Sequence, residues 1–476
     1  MIGLWIGKCV LWLMQRFGRR ATSLPGKMAL RISPRLFARL ARQLNFCAVV
    51  TGTNGKTTTT AMLSRMFAAG EPVIHNAEGA NMQQGILTAL LRAASWTGRL
   101  RVRTAVFEVD EATLPVVAPY LPIRVAVVTN LFRDQLDRYG ELDTTVRKVT
   151  EGLARTAASL VLNGDDPLVR HVGLSLGTHH VVYFGMHRGH LHPLEREVMR
   201  DGAFCLRCGH PLRYDGFFYG QLGQYACTHC DFVQPHPTFC GQYEPGRLHV
   251  HQEGLPGMSF PLPTRGLFNA YNALAAVAAA RVSGLSAGQI ERGLQSFVPP
   301  LGRMQPFATT PVSVLNLIKN PAGCDSVLAA IAAEPGDKGF CILINDLAAD
   351  GRDVSWLWDA DFEWLPDRIQ PAFCVAGGLR AEDMAVRLKY AGLPAAAIVP
   401  VPGIEPAIDA ALDRAAARGV SLYVLATYTA LYPAARHLTR RADTTSGTAS
   451  WDAGRKNDET HPDSPPVSRS PESVRG

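Results

Sequence analysis

A glycine-rich turn near the amino terminus is the pattern with the clearest chemical meaning. Residues 46–60 read FCAVVTGTNGKTTTT, an apolar β-rich run followed by a turn that ends in Gly55-Lys56-Thr57 and by a helical stretch. This arrangement presents backbone N–H groups to a phosphate, with the lysine at the β- and γ-phosphates and the threonine on Mg²⁺. The usual spacing would place a glycine where Val50 stands, so TGTNGKTT is a tighter variant. The residues predicted to bind the ATP phosphates are Gly52, Thr53, Asn54, Gly55, Lys56, Thr57 and Thr58.

The next apolar run along the chain ends in an acidic residue. Ala105, Val106 and Phe107 lead into Glu108, and further acids follow within three residues. A carboxylate at the carboxyl end of a neighbouring strand is where the Mg²⁺ of a bound nucleotide needs a hard oxygen ligand. We therefore predict that Glu108 and Thr57 bind Mg²⁺.

Four of the ten cysteines form two C-x-x-C pairs, Cys205 with Cys208 and Cys227 with Cys230. Thiolates at this spacing fit a closed tetrahedral Zn²⁺ site, so we predict a structural zinc ribbon. An iron site of the rubredoxin type and a redox pair are the alternatives. The cysteines are too dilute for a disulfide scaffold, which favours a reducing compartment.

A second concentration of acids follows the apolar run 341–344. It contains Asp346, Asp350 and Asp353, with Asp359 a little further on. On spacing alone, each of these acids is interpreted as a turn or cap residue.

The chain length and the pattern of apolar runs predict the elements that position these residues. The 476 residues exceed one ordinary core, and 47% hydrophobic with 19% charged residues excludes wholesale disorder, a collagen-like repeat and a coiled coil. Strand-like runs alternate with helical stretches and end in polar tips, which predicts α/β domains with mostly parallel sheets. The net charge of +7 permits anionic partners without requiring nucleic acid.

The two ends of the chain are treated separately. The opening MIGLWIGKCVLWLMQRFGRR is interrupted by Lys8 and carries its basic cluster after the apolar stretch, which argues against a membrane span or a signal peptide. We expect a helix that packs on the protein through Leu4, Val10, Leu11 and Met14. An interfacial helix with Trp5 and Trp12 at the lipid headgroups, and Arg16, Arg19 and Arg20 near anionic lipid, is the alternative. Residues 441–476 are predicted to be a disordered tail.

The order of the motifs resembles the Mur ligase family. TGTNGKTTT is followed by FEVDEA, TN with D-x-L-D-R-x-G, LNGDDP, YFG at 183–185, G-x-x-N-x-x-N at 266–272 and Gly302-Arg303-Met304. In that family ATP phosphorylates a carboxylate, and an amine captures the acyl phosphate. By this resemblance, Asn269 and Asn272 would lie at the nucleotide and Arg303 near its phosphates.

Three departures narrow the resemblance to the MurT family. Gln135 replaces a metal-site histidine, NLIKNP at 316–321 replaces D-Y-A-H-x-P, and the early P-loop leaves no room for an amino-terminal nucleotide-sugar domain. Three further segments also look like this family: EGANM at 78–82, IKNPAG at 318–323 and NDLAADGRDVSWLWD at 345–359.

The resemblance implies the synthetase subunit of a lipid II isoglutaminyl synthase. Such a chain would use ATP and Mg²⁺ to amidate the α-carboxylate of D-isoglutamate in the lipid II stem peptide to D-isoglutamine. Ammonia would come from a GatD-like glutaminase in a cytoplasmic heterodimer. The acid of the GRD segment, Asp353 here, would complete the glutaminase's Cys-His triad across the interface.

The expected organisation is a helical lead segment over 1–45, a Mur-ligase-like P-loop ATPase domain over 46–304 and a second Rossmann-like α/β domain over 305–440. The zinc ribbon is expected as an insertion at about 200–235. One alternative is a Mur or folylpolyglutamate-type ligase that adds an amino acid directly. Another is a nucleic-acid-binding NTPase, which would need basic side chains massed around the ribbon. Arg207 and Arg213 are the only Lys or Arg residues between Cys205 and Cys230, so we expect no nucleic-acid partner.

Overall fold

The structure is a computed structural model that describes residues 1–17, 21–76, 79–133, 142–192 and 201–445. Arg19, Arg20, Glu78, Gln135 and residues 446–476 of the predicted tail lie outside these ranges. The predicted start of that tail at residue 441 is wrong, because residues 441–445 continue the last helix and Arg441 pairs with Asp409. Within them, no helix combines the length and apolar character needed to cross a bilayer.

Three helices precede the first strand: α1 (Ile2–Arg16), α2 (Leu24–Ile32) and α3 (Leu36–Ala41). On α1, Leu4 and Leu11 are buried as expected, and Val10 and Met14 are half-buried. Gly7 of α1 lies close to Leu91, and Gly26 of α2 lies close to the backbone of Gln84. The lead helices therefore pack on the domain that follows.

The next part of the chain contains a mixed sheet with nine strands among the described residues, in the order β11-β10-β9-β6-β5-β4-β1-β3-β2. Neighbours from β2 to β9 are parallel, whereas β9, β10 and β11 are antiparallel. The strands are β1 (Phe46–Thr51), β2 (Ile74–His75), β3 (Thr104–Glu108), β4 (Ile123–Val128), β5 (Ser159–Asn163), β6 (Val181–Met186), β9 (Phe239–Glu244), β10 (Arg247–Gln252) and β11 (Met258–Pro261). A separate hairpin consists of β7 (Leu212–Tyr219) and β8 (Leu222–Cys227).

Helices cover both faces of this sheet. They are α4 (Lys56–Ala68), α5 (Gln83–Ala93), α6 (Leu114–Val117), α7 (Leu142–Ala154), α8 (Pro167–Ser175), α9 (Leu267–Val282) and α10 (Ala287–Gln295), with single 3₁₀ turns at Ala118–Tyr120 and Arg188–His190. Side chains alternate along β1: Cys47 and Val49 join the core with α5, while Ala48 and Val50 join the core with α4 and α9. This alternation explains why the strand is an unbroken apolar run.

The carboxyl-terminal part has its own sheet, in the order β12-β13-β17-β14-β15-β16, parallel except for the β12–β13 pair. Its strands are β12 (Gln305–Phe307), β13 (Ser313–Leu317), β14 (Lys338–Ile344), β15 (Phe373–Gly378), β16 (Ile398–Pro400) and β17 (Ser421–Ala426). Its helices are α11 (Pro321–Ala332), α12 (Trp356–Asp359), α13 (Ala381–Tyr390), α14 (Glu405–Arg418) and α15 (Tyr428–Thr445), with short turns at Leu365–Ile369 and Ala395–Ala397. The predicted α/β class is confirmed.

Candidate active site and metal site

The P-loop joins the end of β1 to the start of α4. Gly52 and Gly55 have φ of +118° and +85°, which side chains other than glycine rarely adopt. A Cβ at Gly55 would also collide with the Asn272 amide. The N-cap residue of α4 is Gly55, which has no side chain to cap the helix, and a helix start of this kind suits an anion. The buried Thr58 hydroxyl has no hydrogen-bond partner within the described residues, which also fits a phosphate site.

Lys56 is buried at the start of α4 and is held at the loop. Its Nζ donates to the carbonyl oxygens of Gly52 and Thr53, the latter at 3.3 Å, and forms a 3.0 Å ion pair with Glu111 Oε1. Burial raises the pKa of Glu111, while the charge of Lys56 opposes that shift. A phosphate entering the loop would therefore compete with Glu111 for Lys56.

Glu108 lies at the carboxyl end of β3 and is fixed by two asparagines. The Asn76 side-chain amide donates to the Glu108 carbonyl at 2.7 Å and accepts from the Glu108 N–H at 2.8 Å, and Asn81 Nδ2 donates to Glu108 Oε1 at 2.9 Å. Gly79, in the same segment as Asn81, lies near the Thr57 hydroxyl. Glu108 and Thr57, the predicted Mg²⁺ ligands, thus both lie beside residues 79–81.

A second loop supports the P-loop from the end of β4. The Asn54 N–H donates to Asn130 Oδ1 at 2.8 Å, and the Thr53 hydroxyl exchanges hydrogen bonds of 3.0 Å with the backbone of Phe132. The Thr53 side chain is thereby committed to the fold. Its backbone N–H donates to the Asn130 carbonyl at 2.8 Å, so Thr53 shapes the loop and does not itself present a free donor to a phosphate.

The P-loop also contacts the carboxyl-terminal domain. Asn54 and Asn320 exchange side-chain hydrogen bonds of 3.2 and 3.3 Å, and Asn320 caps α11 by accepting from the Gly323 N–H at 2.8 Å. A cleft opens at this junction. It is lined by Asn54, Gly55, Asn130, Tyr219, Phe268, Asn272, Arg303, Leu317, Lys319, Gly323, Ser326 and Val327.

The three residues assigned to the nucleotide by resemblance occupy different positions. Asn272 and Arg303 line the cleft, whereas Asn269 is fully buried. The Asn272 amide donates to Asn269 Oδ1 at 3.4 Å, and Asn269 itself donates to the Arg265 carbonyl at 2.7 Å. Burial lowers the pKa of Arg303, and the charge of Glu108 acts in the opposite direction. Asn269 is therefore placed to position Asn272.

The acids after β14 have different surroundings. Asp346 forms a salt bridge with Arg380 at 2.7 Å. Asp350 is buried, and its carboxylate accepts from the Thr429 N–H at 2.7 Å and from the Thr429 hydroxyl at 2.5 Å. These two acids hold the loop to the rest of the domain.

Asp353, in contrast, is exposed. Its carboxylate accepts from the Ser355 N–H at 2.8 Å, and hydrogen bonds from Ser355 lower its pKa. The side chain is therefore an ionised carboxylate on the surface, within reach of another molecule.

The four predicted metal ligands converge on one point. Their sulfur atoms all lie within 4.8 Å of one another, with Cys205 and Cys230 at 3.7 Å and Cys208 and Cys227 at 3.4 Å. Four sulfurs about 2.3 Å from one Zn²⁺ would lie about 3.8 Å apart, so the cluster can hold a metal. His210 and His229 are exposed and stack on each other with ring centroids 4.0 Å apart.

Several residues at the cleft were not found by sequence reasoning. Glu111 and Asn320 are separated from their partners by 55 and 266 residues, and Lys319 and Tyr219 reach the cleft only through the tertiary fold. An Asn-Pro pair does indicate a helix cap at Asn320. Nothing in its spacing indicates the contact with Asn54.

Both α/β parts of the chain match families of known proteins. Residues 50–203 match the Mur ligase middle domain and residues 317–431 match the MurT ligase C-terminal domain. Among solved structures, a pseudomurein peptide ligase type C from Methanothermus fervidus has a TM-score of 0.64 at 22% identity, covering 84% of this chain and 79% of that one. MurF from Acinetobacter baumannii has a TM-score of 0.62 at 16% identity, with coverages of 87% and 80%. These likenesses show the fold.

Sequence relatives are more specific. A Staphylococcus aureus protein named lipid II isoglutaminyl synthase (glutamine-hydrolyzing) subunit MurT is 36% identical over 388 residues, 80% of this chain and 86% of that protein. The Streptococcus pneumoniae protein of the same name is 34% identical over 445 residues, 90% and 95% of the two chains. A UDP-N-acetylmuramoylalanine–D-glutamate ligase from Bordetella pertussis is 28% identical over 310 residues, with coverages of 64% and 55%.

The fold and the P-loop cleft define an ATP-dependent ligase of the Mur ligase type. The chain belongs to the MurT family, because its match to those relatives extends over most of both chains. The amino-acid-adding ligases match a smaller part of the chain, so the alternative of direct amino-acid addition is less supported.

Proposed function

We propose that this chain is the ATP-dependent synthetase subunit of a glutamine-hydrolysing lipid II isoglutaminyl synthase. The observation that carries the proposal is a P-loop cleft shared by both α/β domains, in a chain that also exposes an ionised Asp353. The relatives named as MurT subunits support the same assignment.

In this proposal an oxygen of the D-isoglutamate α-carboxylate attacks the γ-phosphorus of ATP, and ADP leaves. Ammonia then attacks the acyl carbon, inorganic phosphate leaves, and a proton passes to solvent, which gives D-isoglutamine. The chain's task is to position the reactants and to stabilise the phosphoryl charge. Loop amides, Lys56 and Arg303 would provide the positive charge, and Thr57 and Glu108 would hold Mg²⁺. The cleft fits this role because the cationic residues Arg303 and Lys319 line it beside Gly55 of the P-loop.

The ammonia would come from a GatD-like glutaminase, with Asp353 orienting that partner's catalytic histidine. Support comes from the exposed carboxylate and from apolar side chains nearby. Leu347, Leu379 and Tyr428 are exposed and follow β14, β15 and β17, three neighbouring parallel strands that end at one edge of the sheet. An apolar edge around a charged residue suits a protein partner.

We further propose that the four cysteines hold structural Zn²⁺. Support comes from the all-thiolate donor set and the converging sulfur positions. Metal analysis of the purified chain, with cobalt substitution as a spectroscopic check on four-sulfur coordination, tests this assignment.

The lead helices would bring this cytoplasmic chain to the inner membrane surface, where lipid II lies. The first 45 residues contain nine Lys or Arg residues and no Asp or Glu. The outer faces of α1 and α2 expose large apolar side chains: Ile2, Trp5, Trp12, Leu13, Leu24, Met28 and Ile32. Basic charge beside exposed tryptophan suits an anionic lipid surface. We expect the full chain to co-sediment with phosphatidylglycerol vesicles, and Trp12→Ser with Leu13→Ser to reduce binding; equal binding of the variant would contradict this role.

The central test is co-purification with a GatD-like glutaminase followed by mass spectrometry of lipid II incubated with ATP and glutamine. The expected product has one OH replaced by NH₂. An assay of the chain with free ammonia against candidate amino acids separates this function from direct amino-acid addition. Incorporation of an amino acid in place of ammonia would overturn the proposal.

A further inference from the structure

The hairpin of the cysteine ribbon extends from the metal ligands to the nucleotide cleft. Its metal-ligand end and its hairpin turn are at opposite ends of β7 and β8, and the turn end reaches the P-loop side of the domain. Tyr219, the last residue of β7, lines the cleft together with Asn54, Gly55 and Asn272. The residue lies outside both segments that match family domains.

Buried hydrogen bonds fix the hairpin turn. The side chain of Gln221 is buried, and its Nε2 donates to the Leu131 carbonyl at 2.7 Å and to Asp166 Oδ1 at 2.9 Å. The neighbouring Phe132 exchanges hydrogen bonds with Thr53 of the P-loop. The turn is therefore tied to the same loop that supports the phosphate site.

The Tyr219 ring is also held in place by other rings. It packs edge-to-face on Tyr271, with centroids 5.5 Å apart and an interplanar angle of 84°, and it lies 6.1 Å from Phe132. Phe268 is the other aromatic residue that lines the cleft. Two aromatic rings and the Asn272 amide form a suitable surface for a flat purine with polar edges.

We infer that the ribbon is one wall of the nucleotide cleft and that Tyr219 contacts the base of the bound nucleotide. This inference rests on the proposed function, because it assumes that the cleft binds ATP. The phosphates would lie at the start of α4, and the base would extend toward the ring that the hairpin supplies.

The metal end of the ribbon has a small core of its own, which consists of Cys205, Leu212, Tyr225 and Phe232. Phe218 and Leu222, on either side of the hairpin turn, are instead buried in the core that α4 and α9 share. The ATPase domain itself therefore positions the Tyr219 ring.

The test compares ADP with inorganic tripolyphosphate, which has no base, as ligands of the full chain in calorimetry. Tyr219→Ala should weaken ADP binding about tenfold or more and leave tripolyphosphate binding unchanged, because stacking on a base contributes roughly 1–3 kcal/mol. Tyr219→Phe, which keeps the ring, should remain within about twofold of the wild type. Phe204→Ala, which removes an exposed ring at the metal end of the ribbon, is the matched control and should change neither ligand.

Unchanged ADP affinity in Tyr219→Ala, or an equal loss for both ligands, would overturn the inference. If the wild type bound no ADP at all, the proposed function would fail. If it bound ADP and the variants did not differ, only the inference would fail.

Discussion

The P-loop and the loop that carries Asp353 differ in how far this chain completes them. Around the P-loop, buried side chains from β3, β4 and α11 hold the reactive groups, and Lys56 is paired with Glu111 inside the domain. Around Asp353, the surrounding acids hold the loop, while the carboxylate itself is exposed with one neighbour, Ser355. The P-loop groups are thus enclosed within one chain, whereas the Asp353 carboxylate is open to solvent, as its proposed role across an interface requires.

Removal of Lys56 tests the enclosed site and should have the largest effect. Lys56→Ala deletes the lysine proposed to stabilise the transferring phosphoryl group, so we expect ATP-dependent amidation to fall on the order of 10⁴-fold with either glutamine or ammonia. Initial rates with both nitrogen sources measure this. Full activity in the variant would contradict the assignment of the P-loop.

Removal of the Asp353 charge should separate the two regions. Asp353→Asn should reduce glutamine-dependent amidation about 10³-fold, because the partner's imidazole loses its orienting carboxylate, and leave ammonia-dependent amidation intact. Asp346→Asn is the control, since that acid is already paired with Arg380. Any effect of the control should be equal for the two nitrogen sources. Glutamine turnover retained by a folded Asp353→Asn complex would exclude the role.

A smaller effect is expected from the residues that hold the magnesium ligand. Asn81→Ala removes the hydrogen bond to Glu108 and should raise the Mg²⁺ concentration for half-maximal activity about 10- to 100-fold. Binding of ADP without Mg²⁺ should not change. An unaltered Mg²⁺ requirement would argue against Glu108 as the ligand.

The smallest effect concerns stability near the open loop. Burial raises the pKa of Asp325 to about 8, while its carboxylate accepts from the Asp361 N–H at 2.8 Å. Because this folded-state pKa exceeds the unfolded value, the contribution of Asp325 to stability is fully present below about pH 4 and is lost as pH rises to about 8. Asp325→Asn should remove that slope and gain about 1–2 kcal/mol at pH 8.5. Chemical denaturation at pH 5.5 and 8.5 measures it, and an unchanged slope would contradict this origin.

Sequence reasoning succeeded for short motifs and failed for contacts between distant segments. The P-loop and the cysteine pairs could be predicted because their chemistry is encoded in spacings of a few residues. The α/β class followed from alternating apolar runs such as that of β1. Contacts between segments that only packing brings together could not be predicted. They are the ion pair of Lys56 with Glu111, the contact of Asn54 with Asn320 and the position of Tyr219 in the cleft. Asp353 was singled out by resemblance, since by pattern alone it matches its neighbours Asp346 and Asp350.

The exposure of Asp353 has a consequence for nitrogen economy in the cell. Under the role proposed for Asp353, an acid on one polypeptide would serve a thiol and an imidazole on another, and glutamine breakdown would be conditional on assembly. Free glutaminase would lack the third member of its triad, so an imbalance in the synthesis of the two chains would not drain the glutamine supply or release ammonia away from its acceptor.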